Sequence, residues 1–315
     1  MKIDVNKFAK FMYESRFEKW PFNKKGTSLV KLRMFGGDLC IRSEYSNQLI
    51  IRSTVYGQII VAKEPSDTLR GCDYFCTFDY KVRSGQAFEW LKKELSLVLS
   101  NYENILIEVP AHYKDILKYI SRRRFQVESI STISDVNKSF QKLVKKQLEL
   151  DSSFSFSYMT SADIDVCVKI MKDEYARKPE HGLSIASDAF VDFFKNLLKE
   201  EMTKKHSQFV VKDDEGKIRG SFGCFITLND SFWKSKAGMN FCLDEKSQGK
   251  GLLDHMYNTL FLEMKNYKVK VYTGSTSHPA ILKRAHFLER KPFAVSFIKD
   301  TRCYSLKHFS SFLKL

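Results

Sequence analysis

The run Gln248-Gly249-Lys250-Gly251-Leu252-Leu253 constrains this chain more than any other feature. Before it lies an apolar stretch, residues 237–243, with the length and composition of a strand. After it, over 250–266, Leu253, Met256, Tyr257, Leu260 and Met264 form one apolar helical face. A glycine-rich turn entering a helix leaves backbone N–H groups unpaired at the positive end of the helix dipole. That arrangement suits a phosphate or pyrophosphate, with Gly249 and Gly251 allowing close approach and Lys250 adding positive charge.

The chain has 315 residues, long for one core and comfortable for two domains. Hydrophobic residues make up 43% and charged residues 28%, the balance of a globular chain. The longest apolar runs, such as Leu49-Ile50-Ile51 and Phe209-Val210-Val211, fall far short of the roughly 20 residues of a membrane span. The polar start, Met1-Lys2-Ile3-Asp4, lacks the apolar core of a secretory signal, so a cytoplasmic location is expected. Seven scattered cysteines fit reduced thiols. Cys72 and Cys76 are not followed by a second Cys/His pair at ligand spacing, so no metal site is expected. The net charge of +15 attracts anions without choosing among nucleic acid, acidic partners and nucleotide phosphates.

Periodicity divides the chain into two α+β halves. An opening helix is expected over residues 3–20, closed by Trp20-Pro21. A meander of short strands follows at 29–34, 39–43, 48–53, 58–63 and 73–82, then helix 85–100, strand 104–109, helix 113–123 and strand 127–133. A charged amphipathic stretch, 137–150, runs into Asp151-Ser152-Ser153, the point where the chain divides: residues 1–136, a linker helix over 137–153, and residues 154–315. The second half begins with strand 154–159. Thr160 and Asp163 then form a capping box before a helix with Ile164, Cys167, Val168 and Met171 inward. A second helix covers 187–204. A hairpin of strands 208–212 and 218–228 turns at Gly216, and strand 237–243, the glycine turn and its helix come next. Strand 269–273, helix 279–287 and strand 293–297 complete the order.

That order, with Gln248, Gly251 and Leu253 at the three diagnostic places of the turn, resembles the GNAT acyltransferase superfamily over residues 154–298. The resemblance implies an α/β (α+β) fold with a mixed central sheet flanked by helices. It also implies acetyl-CoA or a longer acyl-CoA as acyl donor, an amine as acceptor, and no metal. The pyrophosphate would meet Gln248, Gly249, Lys250, Gly251, Leu252 and Leu253, with Leu253 in place of the family's usual Gly or Ala. Cys242 and Leu243 would pair with the pantetheine arm, and backbone N–H groups of that strand would hold the oxyanion. Cys242, between Phe241 and Leu243, reads as a small buried residue rather than an acyl carrier.

The family's usual catalytic Glu and Tyr fall at Ala237 and Leu282 here, so both are missing. His278, in the segment 274–279 that is read as a loop, is the best substitute as base or acid, because imidazole titrates near neutrality. Ser275 and Tyr272 are secondary candidates as proton donors or water-positioning groups, and Glu180 and His181 as acceptor contacts. Phe222, Phe225 and Phe241 would line either an acyl tunnel or the core.

The segment His112-x3-Ile116-Leu117-Lys118 echoes His278-x2-Ile281-Leu282-Lys283, which suggests tandem GNAT-like copies. The first copy is degenerate, with Arg83-Ser84-Gly85-Gln86-Ala87 where a cofactor loop would fall. Two other readings remain: an aminoacyl transferase resembling the Fem family, which uses aminoacyl-tRNA, and a non-catalytic binding module. The intact glycine turn argues against the first. For nucleic acid, the charge permits binding, but no aromatic-rich basic motif supports it.

Overall fold

A computed structural model describes residues 21, 49–63, 72–80, 85–145, 153–178, 187–203, 207–230 and 233–315. The expected opening helix, the strands at 29–34 and 39–43, Arg83, Ser84, Glu180 and His181 lie outside them. In the first half, strands β1 (Leu49–Ser53), β2 (Gly57–Lys63) and β3 (Tyr74–Tyr80) form the expected antiparallel meander. Helix α1 (Gly85–Asn101) crosses to β4 (Ile105–Pro110), which runs parallel to β3, and α2 (Lys114–Ser121) leads into β5 (Gln126–Asp135). Helix α3 (Val136–Val144) opens the 137–153 connection, with Asp135 capping it by accepting from Lys138 N at 2.9 Å.

The second half repeats the plan. After β6 (Phe154–Tyr158), the Thr160/Asp163 capping box forms and α4 (Ile164–Arg177) buries the four predicted residues. Helix α5 (Asp188–Thr203) follows, then the hairpin of β7 (Gln208–Asp213) and β8 (Ile218–Asp230), whose turn places Gly216 at φ +77°. Strand β9 (Lys234–Leu243), α6 (Leu252–Asn266), β10 (Val271–Thr276), α7 (Pro279–Phe287) and β11 (Lys291–Ile298) repeat the β3-to-β5 sequence. A short α8 (Ser310–Leu313) ends the chain. Among the described residues no helix is long and apolar enough to cross a membrane.

The halves do not form separate sheets. Eleven described strands lie in one sheet of order β1-β2-β3-β4-β11-β5-β10-β9-β8-β7-β6. The last strand of each half is exchanged: β5 pairs antiparallel with β10 from Thr276↔Ile130 to Val271↔Asp135, while β11 pairs antiparallel with both β4 and β5. Sequence patterning is blind to this, because an apolar strand reads the same whichever neighbour it finds. The same pairing corrects the reading of 274–279 as a loop, since Gly274, Ser275 and Thr276 extend β10 along β5.

The exchange builds the core across the boundary. Val295 and Phe297 of β11, Leu282 of α7, and the C-terminal Leu306, Phe309 and Leu313 pack with Leu91, Ile107, Ile116 and Val127 of the first half. The N–H of Val127 donates to Tyr304 O at 2.8 Å, closing the C-terminal segment over the first half. Helices α1, α2, α3, α6 and α7 cover one sheet face, and α4 and α5 cover the opposite face beside β7 to β9.

Since Phe297 is wholly buried at this junction, Phe297→Ala is expected to destabilise the fold by about 3–5 kcal/mol. One cooperative calorimetric transition for both halves is expected in the wild type and in the variant. Two separated transitions would contradict the shared core.

Candidate functional site

Strands β9 and β10 start as parallel neighbours, with pairs Val271↔Lys236, Tyr272↔Ala237 and Thr273↔Gly238. Beyond Gly238 they part, while β9 stays paired to β8 as far as Leu243. The gap opens into a cleft of about 750 Å³, within the ordinary range for small-molecule sites. Because the cleft passes between two strands, both sheet faces contribute. From the α6 side come Leu252, Leu253, Met256 and Ile281; from the α4/α5 side come Met171, Tyr175, Phe190, Phe194 and Phe225.

The glycine turn stands at one mouth. Gly249 and Gly251 have φ of +77° and +76°, a region costly for any other residue, and a Cβ on either would meet nothing within 4 Å. Backbone conformation, rather than crowding, requires the two glycines, and the space around them is open to a ligand. Gly251 is the N-cap of α6 and provides no side-chain cap, which leaves the first-turn N–H groups for an external acceptor. Leu252 is buried under the helix, and Leu253 lines the cleft while packing on the core behind α6, so the larger side chain at this place is accommodated. Lys250 is exposed and is not among the residues lining the cleft. Asp254, in the same first turn, would oppose an anion, but Arg284 Nε of α7 pairs with its Oδ1 at 2.7 Å.

Gln248 ties the turn to its surroundings. Its Nε2 donates to Leu243 O at 2.9 Å and to Glu174 Oε2 at 2.5 Å, and its Oε1 accepts from Lys178 Nζ at 3.2 Å. Glu174 also pairs with Arg177, which reaches Glu245 Oε1 at 2.8 Å. Behind the loop, Asp213 Oδ2 accepts from Arg219 Nε at 2.6 Å, and Arg219 Nη1 donates to Asp244 Oδ2 at 3.3 Å. Asp244 in turn accepts from Ser247 N and Ser247 Oγ at 3.0 and 2.8 Å. The β7–β8 hairpin is thus braced to the residue before Gln248.

Of the proposed proton-transfer residues, His278 and Ser275 line the cleft. His278 caps α7, its Nδ1 accepting from Ala280 N at 3.2 Å, so a neutral ring carries its proton on Nε2. Ser275 Oγ lies 2.7 Å from Ser131 Oγ of the exchanged β5. Tyr272 is not brought to the site: it is wholly buried against Phe261 of α6, and its hydroxyl donates to Ser139 Oγ at 2.9 Å. Burial pushes its pKa up, further from any role at neutral pH. Strand alternation explains the difference, because Thr273 and Ser275 share one face and Tyr272 points to the other.

Cys242 lines the cleft, and burial pushes its thiol pKa up, the reverse of what a nucleophile needs. Cys72 and Cys76 lie in different apolar clusters, and burial pushes Cys76 up to about 12. Phe225 and Phe241 line the cleft, whereas Phe222 is core, stacked on Phe209 at 5.0 Å. Ala237 is fully buried beneath α6, and Leu282 is absorbed into the core shared by the halves. His112 does not match His278 in role, since Tyr113 is the N-cap of α2.

Several cleft residues escaped the sequence reading, among them Glu174 and Lys178 beside Gln248 and three further polar residues. Glu128 and Ser129 arrive on β5, and Arg290 follows the turn after α7. Arg290 is 5% exposed; its Nη1 donates to Tyr257 Oη at 3.1 Å and its Nη2 to Gly274 O at 3.2 Å. A Cβ at Gly274 would lie 2.7 Å from that guanidinium, so the glycine makes the contact possible.

The sequence matches no protein-family model and no curated protein. Solved structures are similar in fold. A glucosamine N-acetyltransferase region of a fungal multi-domain GH3 β-N-acetylglucosaminidase superposes with TM-score 0.52 at 10% identity, over 93% of this chain and 36% of that one. A tandem GNAT protein from the clavulanic acid biosynthesis pathway gives 0.47 at 11% identity, over 93% of each chain. A GCN5-related N-acetyltransferase from Sphaerobacter thermophilus gives 0.49 at 10% identity, over 77% of this chain and 76% of that one. With the strand order and the parted β9 and β10, the fold is that of the GNAT superfamily.

The brace behind the loop makes a pH-dependent prediction. Burial disfavours ionised Asp213, but Arg219 and the Lys217 amide outweigh it and hold the carboxyl below the usual carboxylate range. A depressed folded pKa contributes stability above the unfolded value of about 4, which is lost as pH falls through the folded value. Asp213→Asn is therefore expected to lower the melting temperature at pH 7, with the difference from wild type shrinking below about pH 4. A difference that is constant across that window would show that the ion pair is not its source.

Proposed function

We propose that the chain is an acyl-CoA-dependent N-acyltransferase that moves an acyl group, most simply acetyl, to an amine by direct attack on the thioester. The observation that carries this reading is the parting of β9 and β10 beyond Gly238, with the Gly249/Gly251 turn at its mouth. That geometry offers a slot for an extended arm and a set of N–H donors for its pyrophosphate. Gln248, Gly249, Gly251, Leu252 and Leu253 form the phosphate cradle, with Lys250 and Lys178 adding charge. Beyond Gly238 the β10-facing edge of β9, including Cys242 and Leu243, pairs with the arm through its backbone.

Direct attack fits these residues better than a covalent intermediate, because the cleft's cysteine is held in its thiol form. Attack requires the amine to lose protons and the thiolate to gain one. His278, whose neutral ring carries its proton on Nε2, is the proposed proton donor to the thiolate, and Ser275 a polar neighbour of the reacting centre. No observation raises the tRNA-dependent or binding-module readings above this one.

Thermal unfolding with acetyl-CoA and longer acyl-CoAs tests the cradle. A ligand a hundredfold above its Kd stabilises by about 2.7 kcal/mol, a rise of several degrees for a chain of this size. Gly251→Glu, which strains the turn and repels phosphate, is expected to abolish the rise. Absence of a rise with every acyl-CoA would sink the reading. His278→Ala is expected to keep the rise while lowering kcat by about 10²-fold or more, the usual scale of acid–base help. Unchanged kcat would remove His278 from the chemistry.

A further inference from the structure

A permanent cation stands at the fork where β9 and β10 part. Thr273↔Gly238 is their last pair, and Gly274 is the next residue of β10. Arg290 Nη2 donates to Gly274 O at 3.2 Å and to Thr132 O at 3.5 Å, and Nη1 donates to Tyr257 Oη at 3.1 Å. The guanidinium carbon lies 5.1 Å from the centroid of the Tyr272 ring. These partners are two carbonyls, a phenol and a ring face, which hold the group in place and leave its charge uncancelled. Among the described residues no carboxylate pairs with Arg290, and its Nε has no hydrogen-bond partner. The side chain is 5% exposed and lines the cleft, and a charge fixed at so dry a place acts strongly on whatever lies beside it.

The other charged groups of the cleft stand elsewhere along it. Glu174 and Lys178 are at the mouth on Gln248, and His278 caps α7. Glu128 enters at a β-bulge of β5, where Val127 pairs with Phe297 and Ser129 with Ser296. That bulge is four residues before Thr132, the partner of Gly274. Position also decides which anion can meet Arg290. From Gly238 to Leu243 the strand β9 advances about 17 Å, at about 3.4 Å for each of five steps, and the glycine turn lies beyond Leu243. A pyrophosphate on the turn is too distant to pair with Arg290. An arm laid along β9 from that turn brings its thioester end to the fork. Arg290 lies with Tyr257 and Tyr272 on the α6 face, the face from which the turn enters its helix, so the acyl group is the part of the donor that meets it.

We infer that Arg290 receives a carboxylate at the far end of the acyl group, and that the preferred donor is the CoA thioester of a short dicarboxylic acid. The inference rests on the acyl-transfer reading. A guanidinium and a carboxylate form a charge-assisted contact that a neutral acyl chain does not make. The reaction at the thioester is otherwise the one proposed above. A neutral amine attacks the carbonyl carbon, the C–N bond forms, the C–S bond breaks, and the proton lost by nitrogen ends on the thiolate. The products are CoA thiol and an amide that keeps the free carboxylate. The acylated position thus changes from a cation in water to an anion.

Calorimetric titration and thermal unfolding of the full chain with acetyl-, butyryl-, malonyl- and succinyl-CoA test this without any acceptor. Malonyl- or succinyl-CoA is expected to bind at least tenfold more tightly than acetyl- and butyryl-CoA, with the larger melting shift. Arg290→Met is expected to lower that preference at least fivefold. If the Met variant does not fold, Arg290→Lys takes its place, and loss of the planar fork is expected to lower the preference at least threefold. A wild-type preference below tenfold overturns the inference, as does a smaller drop in the variant, and Arg290 is then a tie between α6 and the exchanged strands. If none of the four thioesters binds the wild type, acyl transfer falls first and this inference with it.

Discussion

The antiparallel pairing of β5 with β10 and β11 is the contact on which the rest of the molecule depends. It joins two five-stranded arrangements into one sheet, and it fixes the first half beside the cleft. Backbone ladders are directional and leave little freedom of register where both faces are buried. The bulge at Glu128 is the one irregularity of this ladder that turns a charged side chain into the cleft. Without the exchange, that end of the cleft would be open to water and would lack Glu128, Ser129 and the Ser131 partner of Ser275.

Much of this was legible in the sequence, for identifiable reasons. The capping box at Thr160, the buried set Ile164, Cys167, Val168 and Met171, and the turn at Gly216 are local patterns, and each formed where its chemistry placed it. The glycine turn was readable for the same reason, since positive φ at two places leaves few choices of residue. What escaped was non-local. Ser275 and Thr276 read as loop because their strand character comes from β5, some 140 residues earlier in sequence. Glu128 sat in an apolar strand with no spacing to mark it, because a bulge is a property of two strands at once. Tyr272 read as a site residue because its neighbours along the chain are at the site, while its own side chain faces the opposite way.

The two positions at which the sequence departs from the pattern it resembles acquire a physical context in the same way. Ala237 lies flush under α6, where a carboxylate would meet only the apolar core. Leu282 faces the first half and closes the core that the exchange creates. A helix face that packs into a core shared by both halves is filled by volume and apolarity, which leaves no room there for a proton-transfer group. The polar side chains that reach the cleft come instead from other elements, β5 and the α7 N-terminus among them.

The position of β11 in the chain also bears on how the molecule is made. Strand β4 is complete by Pro110 and β5 by Asp135, but the strand that lies between them spans Lys291–Ile298. During synthesis the first half therefore leaves the ribosome with an unfilled place in its sheet, and it stays so until β11 itself has emerged. Unpaired edges of this kind invite wrong partners, and their closure waits on contacts of very long sequence separation, which slow folding. Until β11 arrives, the facing edges of β4 and β5 are open to pairing with any strand that reaches them first.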